Sequence, residues 1–326
     1  MEEILPRLYR IPVPLPGSPL KEINAYVLTS DDRNLIIDTG MNRPECQEVL
    51  EAGFAEIGLG LERTDIIATH MHADHQGLVA TFLANDSKAY MGEADATLMK
   101  SRKTPHARMG SFAQYAVSSG LSEKDFEVMA KNHPGVKYGP RSVVDYVELH
   151  GGEVFKVGNY TLKTVATPGH SQGHMCLYEA EKKILFSGDH VLGDITPNIQ
   201  AWSDQGDPLD EYIKSLRKVK KLDVKMCLPG HRSVITDFGH RIEELLEHHR
   251  IRTNEVLSVL KEGTKNGYQT ASKMTWDIKA ESWEQFPLMQ KWFATGEANA
   301  HLRYLQGRQQ ARSEIRDGQV FYSALT

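Results

Sequence analysis

Up to about residue 230, apolar positions either alternate with polar ones or gather in short blocks. Leu8 to Val13 and Asn24 to Leu28 read as strands parted by the Pro/Gly-rich turn at 14–19, and Asn34 to Ile37 as a third strand. Pro44 suits a first helical turn, after which Val49, Leu50, Phe54 and Ile57 share one face until Gly58 stops the helix. The run Ile66-Ile67-Ala68 predicts a buried strand, a helix is expected from Gly77, and Lys88 to Met91 predicts the next strand. Such alternation predicts helices packed on sheet, an α/β fold.

From about Glu93 to Arg141 the pattern turns helical, with segments Ala94 to Ser101, Phe112 to Ser119 and Glu123 to Lys131. Insertions of this kind form lids or pocket walls, which makes His106, Arg108, Met109 and Tyr115 candidate substrate contacts; the alternative is a packing appendage. Strand signals return at Val143 to Leu149, Val154 to Val157 and Tyr160 to Ala166, and Met175 to Tyr178 with Ile184 to Phe186 reads as a hairpin. A helix over Pro208 to Leu222 and an apolar strand over Val224 to Leu228 follow. Beyond about Phe238 the chain is mostly helical, over His240 to Lys261 and Trp283 to Leu305, and it closes on two strands flanking Asp317-Gly318, a tight-hairpin signal. The expected division is a domain over 1–240 carrying the insert and a small winged-helix-like domain over 241–326.

The apolar strands end in polar clusters. Ile66-Ile67-Ala68 leads into His70-Met71-His72-Ala73-Asp74-His75, Tyr160 to Ala166 into His170, Ile184 to Phe186 into Asp189, and Val224 to Leu228 into His231. A layered α/β protein can gather such loops along one edge. Buried imidazoles and carboxylates need a positive or hydrogen-bonding partner, and a mixed His/Asp set points to a transition metal rather than calcium or magnesium. These five histidines and two aspartates suit two ions sharing one carboxylate bridge. Zinc is the expected metal, and the same ligands accept iron or manganese. His174, four residues after His170, reads as a bracing or packing residue; His190 either faces the pocket or is simply buried. His240, His248 and His249 lie on the C-terminal helical pattern, where a solvated face is expected.

Composition narrows the class. Of the 326 residues, 40% are hydrophobic and 25% charged, ordinary for a globular protein and incompatible with wholesale disorder. A net charge of -5 gives no whole-protein footprint for a nucleic acid. Cys46, Cys176 and Cys227 lie far apart in apolar patterns, as free cysteines do in a reducing compartment. The N-terminus is acidic and proline-broken, and no apolar run reaches the length of a membrane span, so cytoplasmic localisation is expected.

Together these residues resemble the metallo-β-lactamase-fold superfamily, specifically its glyoxalase II-like branch. The HxHxDH motif is met by His70, His72, Asp74 and His75, the following His by His170, the bridging Asp by Asp189 and the last His by His231. The resemblance implies an αββα sandwich with His70, His72 and His170 on one zinc, Asp74, His75 and His231 on the other, and Asp189 between. Asp38, in Ile36-Ile37-Asp38-Thr39-Gly40, would then brace the metal loop; an ordinary turn-capping Asp is the other reading. Lactamase-type members commonly carry Cys where Asp189 stands, and diiron oxygen reductases Glu where His72 stands. Both departures argue against those activities. Nor does a large extra block, as in some nuclease members, separate Asp189 from His231.

The implied activity is hydrolysis of an ester-like acyl compound (a thioester of the hydroxyacylglutathione type, another thioester, or a lactone) by a metal-bridging hydroxide, with Asp74 also able to shuttle a proton. The alternative is a metal-dependent endoribonuclease or phosphodiesterase, since some lactamase-like endoribonucleases carry a comparable winged-helix-like tail. Arg303, Arg308, Arg312 and Arg316 could then track phosphates, offset by Glu281, Glu284, Glu297 and Glu314. A non-catalytic metal- or nucleic-acid-binding module is the third reading. The tail could equally serve in homodimerisation or pocket covering.

Overall fold

Side chains alternate between two apolar layers along strand after strand, and two sheets result. The computed structural model describes residues 1–101, 105–203 and 206–325, without the side chains of 105–109 and 111; the expected contacts His106, Arg108 and Met109 therefore lie outside the described side chains. The first sheet pairs β1 (Glu2–Leu5), β2 (Leu8–Pro14), β3 (Glu22–Leu28), β4 (Asn34–Ile37), β5 (Thr64–Ile67), β6 (Ala89–Gly92) and β7 (Tyr146–Leu149) in sequence order. It is antiparallel as far as β4 and parallel beyond. The second holds β8 (Val154–Val157), β9 (Tyr160–Ala166), β10 (Met175–Glu179), β11 (Ile184–Gly188) and β12 (Met226–Pro229) in the order β12-β11-β10-β9-β8, with β12 parallel to β11.

Between the sheets, Leu28, Leu35, Ile37 and Ile67 meet Leu162, Leu177, Ile184 and Phe186. The opposite parity of the same strands faces outward: Ile23, Ala25 and Val27 of β3 lie under Cys46, Leu50 and Phe54 of α1 (Pro44–Glu56). On the far side, Cys176, Leu185 and Cys227 are covered by Leu209, Tyr212 and Leu216 of α8 (Pro208–Val219) and by Ile242 and Leu245 of α9 (Phe238–Lys261). The expected αββα sandwich is thus present, because period-two strands buried on both faces need helices on both outer sides.

The helix expected from Gly77 starts earlier and breaks into α2 (Ala73–Gln76) and α3 (Val79–Phe82). The break falls at Leu78, with φ of -100° and ψ of 6°, and close approach calls for the glycine before it: a Cβ on Gly77 would lie 2.5 Å from the Ala73 carbonyl and 2.6 Å from the Asn42 nitrogen. The insert forms α4 (Glu93–Ser101), α5 (Pro105–Ser118), α6 (Glu123–Asn132) and α7 (Pro134–Lys137). After α9 come β13 (Lys265–Asn266), α10 (Gly267–Ala271), α11 (Leu288–Gly307) and the hairpin β14 (Ala311–Arg316) and β15 (Gln319–Ala324). Asp317 and Gly318 have φ of 50° and 77° at the expected two-residue turn.

Helix α9 contributes to two cores, Ile242 and Leu245 beneath the second sheet, Val256 and Leu260 against Ala298, Leu302 and Tyr322. Insert and C-terminal elements also share a core, in which Ala116, Phe126 and Met129 surround Trp292 of α11. His249 departs from its expected solvated face. It is buried against Tyr212 and against His301 of α11, with ring centroids 5.2 and 5.6 Å away, because α9 is covered on a second side. Among the described residues no helix is long and apolar enough to cross a membrane.

Burial pushes His301 down to about 4. Its folded value lies below the unfolded one, so its contribution is complete above roughly pH 6.5 and is lost as pH falls toward 4. Urea unfolding at pH 7.5 and pH 5 should show this: His301→Leu removes roughly 2 kcal/mol of the wild-type loss between the two pH values. An unchanged pH difference in the variant would count against the assignment.

Candidate metal centre

The site is built at strand ends, with His75, His170 and His231 braced from behind. β4 ends at Ile37, and Asp38 follows with φ of 63°, turning its carboxylate back toward the end of β5. There it accepts from the Thr69 amide (2.8 Å), from the Thr69 hydroxyl (2.9 and 3.1 Å) and from His75 Nδ1 (2.8 Å). His170 Nδ1 lies 3.0 Å from the Asn198 carbonyl, and His231 Nδ1 2.7 Å from that of Glu22. A carbonyl only accepts, so in both rings the proton sits on Nδ1 and Nε2 is left for the site.

Two groups form. His70 Nε2 and His170 Nε2 lie 2.9 and 3.0 Å from His72 Nδ1, and the ligand atoms of Asp74, His75 and His231 lie within 4.8 Å of one another. Asp189 stands between them: its Oδ1 is 3.4 Å from His75 Nε2 and 3.5 Å from His231 Nε2, while its Oδ2 is 3.6 Å from His170 Nε2. Asp74 Oδ2 is 3.4 Å from His231 Nε2. His70, His75 and His231 are fully buried; His72 and His170 are partly exposed. The turn carries only part of the motif, since Asp74 and His75 occupy the helical turn of α2.

These residues fit a divalent cation. His75 Nε2, His231 Nε2 and Asp189 Oδ1 are buried without a hydrogen-bond partner, and all three face the same space. The nitrogens around His72 converge as about 2.0–2.1 Å metal–nitrogen bonds require. Burial, then the neighbouring His170, pushes His72 down to about 3, so its ring is a free lone-pair donor at neutral pH. At His75 burial opposes the charge but Asp189, Asp38 and Asp74 outweigh it, the mark of a place that calls for a cation.

Of the expected bracing residues, Asp38 supports His75 as above. His174 is buried, its Nδ1 2.8 Å from the Thr167 hydroxyl, and its Nε2 accepts from the Asp189 amide at 3.1 Å, so it steadies the carboxylate between the groups. His190 is a correction: it is wholly buried between the rings of His174 and Tyr212, behind the site, and takes no part in a pocket. Tyr115 packs on Trp202 and accepts from Arg303 at 2.7 Å, which places it at the junction of insert and C-terminal helix. Sequence reasoning missed Asp95. Buried in the first turn of α4, it accepts from the Met71 amide (3.0 Å), the Ser171 hydroxyl (2.6 Å) and the Gly173 amide (2.8 Å), joining the His72 loop to the His170 loop. The available signal was its place beside Ala96 and Met99 on the buried face of α4.

A sandwich with His/Asp groups at its strand ends defines a metal-dependent hydrolase. Residues 19–231 match the family model of the metallo-beta-lactamase superfamily, and the chain belongs to that family. It is 28% identical over 268 residues (82% of this chain, 67% of the relative) to the atrochrysone carboxyl ACP thioesterase nsrC of Aspergillus novofumigatus. It is 30% identical over 244 residues (74% and 67%) to a beta-lactamase-like protein 2 homolog of Caenorhabditis elegans. A metallo-beta-lactamase family protein from Thermus thermophilus superposes with a TM-score of 0.83 at 27% identity, covering 99% of this chain and 100% of that one.

Asp95→Ala strips three donors of their acceptor, and a loss of roughly 2–4 kcal/mol in urea unfolding is expected. Metal affinity, read by chelator competition, should fall by about 10–100-fold. Wild-type affinity in this variant would show that the loops hold their places without Asp95.

Proposed function

We propose that the chain hydrolyses an ester-like acyl substrate, a thioester first and a lactone next, with two divalent cations, zinc by preference, held by its two His/Asp groups. The observation that carries the reading is Asp189, whose two oxygens face different groups and so suit a bridge. The relative named as an acyl carrier thioesterase favours thioester over the other acyl classes. Bound there, divalent cations make water acidic enough to attack at neutral pH and polarise the scissile carbonyl.

The chain's own residues do the rest. Asp38, the Glu22 carbonyl and the Asn198 carbonyl fix the directions of His75, His231 and His170. Asp74 stays ionised, since burial pushes it up but His75 and His231 hold it further down, as a residue that holds a cation through Oδ2 must be. No serine or cysteine nucleophile is needed, and Cys46, Cys176 and Cys227 are free and buried, as in a cytoplasmic protein. The C-terminal order of helix, short strand, two helices and hairpin suits a winged-helix-like domain.

The phosphodiesterase alternative finds little support in the tail. Arg308 pairs with Asp210 at 2.8 Å and Arg316 with Glu314, while Arg303 donates to the Gly206 carbonyl and to Tyr115. These arginines tie the C-terminal region to the rest of the chain or to itself, not to a phosphate track.

A parallel turnover screen of thioesters, lactones, phosphodiesters and RNA tests the reading. Thioester cleavage is expected, lost on chelation, restored by zinc, and reduced at least about 100-fold in His72→Ala. Cleavage of RNA without thioester turnover, or activity that survives chelation, would refute it.

A further inference from the structure

The brace behind His170 comes from outside the strands of the sandwich, on a strap whose Ile199 and Ala201 also pack into the core beneath the second sheet. It is the main-chain carbonyl of Asn198, in the stretch between β11 and α8, whose described residues form neither helix nor strand. An isolated stretch of this kind would set no direction, yet residues 198–202 are fixed at several points. The Ala201 amide donates to the Gly296 carbonyl of α11 at 3.0 Å, and Asn299 Nδ2 approaches the Ala201 carbonyl at 3.5 Å while donating to Ser119 Oγ of the insert at 2.9 Å. The Trp202 indole lies flat on that of Trp292, with centroids 3.5 Å apart and planes 5° apart. Gly296 leaves just enough room: a Cβ there would lie 2.6 Å from Trp202 Nε1 and 2.8 Å from Gln200 Oε1.

We propose that α11 positions the metal centre: through the strap 198–202 it sets the tautomer and direction of the His170 imidazole, with Gly296, Trp292 and Trp202 as the positioning residues. The inference rests on His170 being a metal ligand. A strap displaced by less than an ångström would lengthen the 3.0 Å bond from His170 Nδ1 and leave the proton free to move to Nε2, where it blocks the lone pair.

Gly296→Ala in the full chain tests this, since alanine is the better helix former and the helix itself is not weakened. Trp292→Leu is the second variant, should the first fail to fold. Long-range proton–nitrogen spectra of the metal-free protein, with His170 identified by its absence in His170→Ala, should show the Nδ1–H tautomer in the wild type and a mixture in both variants. In zinc titrations against a competing chelator, the equivalent that His170→Ala loses should weaken about tenfold, the other remaining as in the wild type. Wild-type tautomer and affinities in the variants overturn the proposal. Equal weakening of both equivalents overturns it too, because general loosening would do that. The tautomer is read without metal or substrate, so failure of the thioesterase reading leaves this test standing.

Discussion

Three buried polar atoms, His75 Nε2, His231 Nε2 and Asp189 Oδ1, have no hydrogen-bond partner, and keeping them so is the constraint on which the rest of the structure depends. An unpaired buried donor or acceptor costs about 1–3 kcal/mol, and left to themselves these groups would rotate to satisfy one another. The two imidazoles are prevented by a bond on the far side, Asp38 on His75 and the Glu22 carbonyl on His231, while His174 fixes the main chain that carries Asp189. Those braces come from both sheets. The packed layer between the sheets, where Leu28 and Ile37 meet Leu177 and Phe186, therefore sets the registration of the site as well as the stability of the fold.

What the sequence made legible follows from this arrangement. Ligand side chains announce themselves by type and spacing, and the strand ends that carry His70, His170, Asp189 and His231 were readable from the apolar runs before them. Braces made by the main chain leave no such trace. Nothing in the identity of Glu22 or Asn198 reports that its carbonyl holds an imidazole. Asp95 was hidden differently, since an acid in a first helical turn is expected on dipole grounds alone and its burial depends on the loop folded over it. His249 was misjudged because one amphipathic face was assumed for α9, whereas the helix is buried on a second side by α11.

The C-terminal region acts inward in the same physical sense. Arg303 and Arg308 are spent on Gly206, Tyr115 and Asp210, and Trp292 is buried in a core shared with the insert. A domain tethered loosely to a catalytic unit would show a polar, wetted junction. Here the junction holds stacked indoles and the buried amide of Asn299, so the insert, the strap and α11 behave as one packed body.

An asymmetry between the two ligand groups follows. His75 and His231 are braced from within the sandwich, by Asp38 after β4 and by Glu22 in β3. His170, in the other group, takes its direction from a strap held jointly by the core beneath the second sheet and by α11. Dense packing transmits displacement rather than absorbing it, so changes in the insert that shift α11 also bear on the strap behind His170. Changes of equal size on the sandwich side meet a self-contained frame. The direction of His170 is thereby tied to α11 and the insert, while His75 and His231 take theirs from residues of the first sheet.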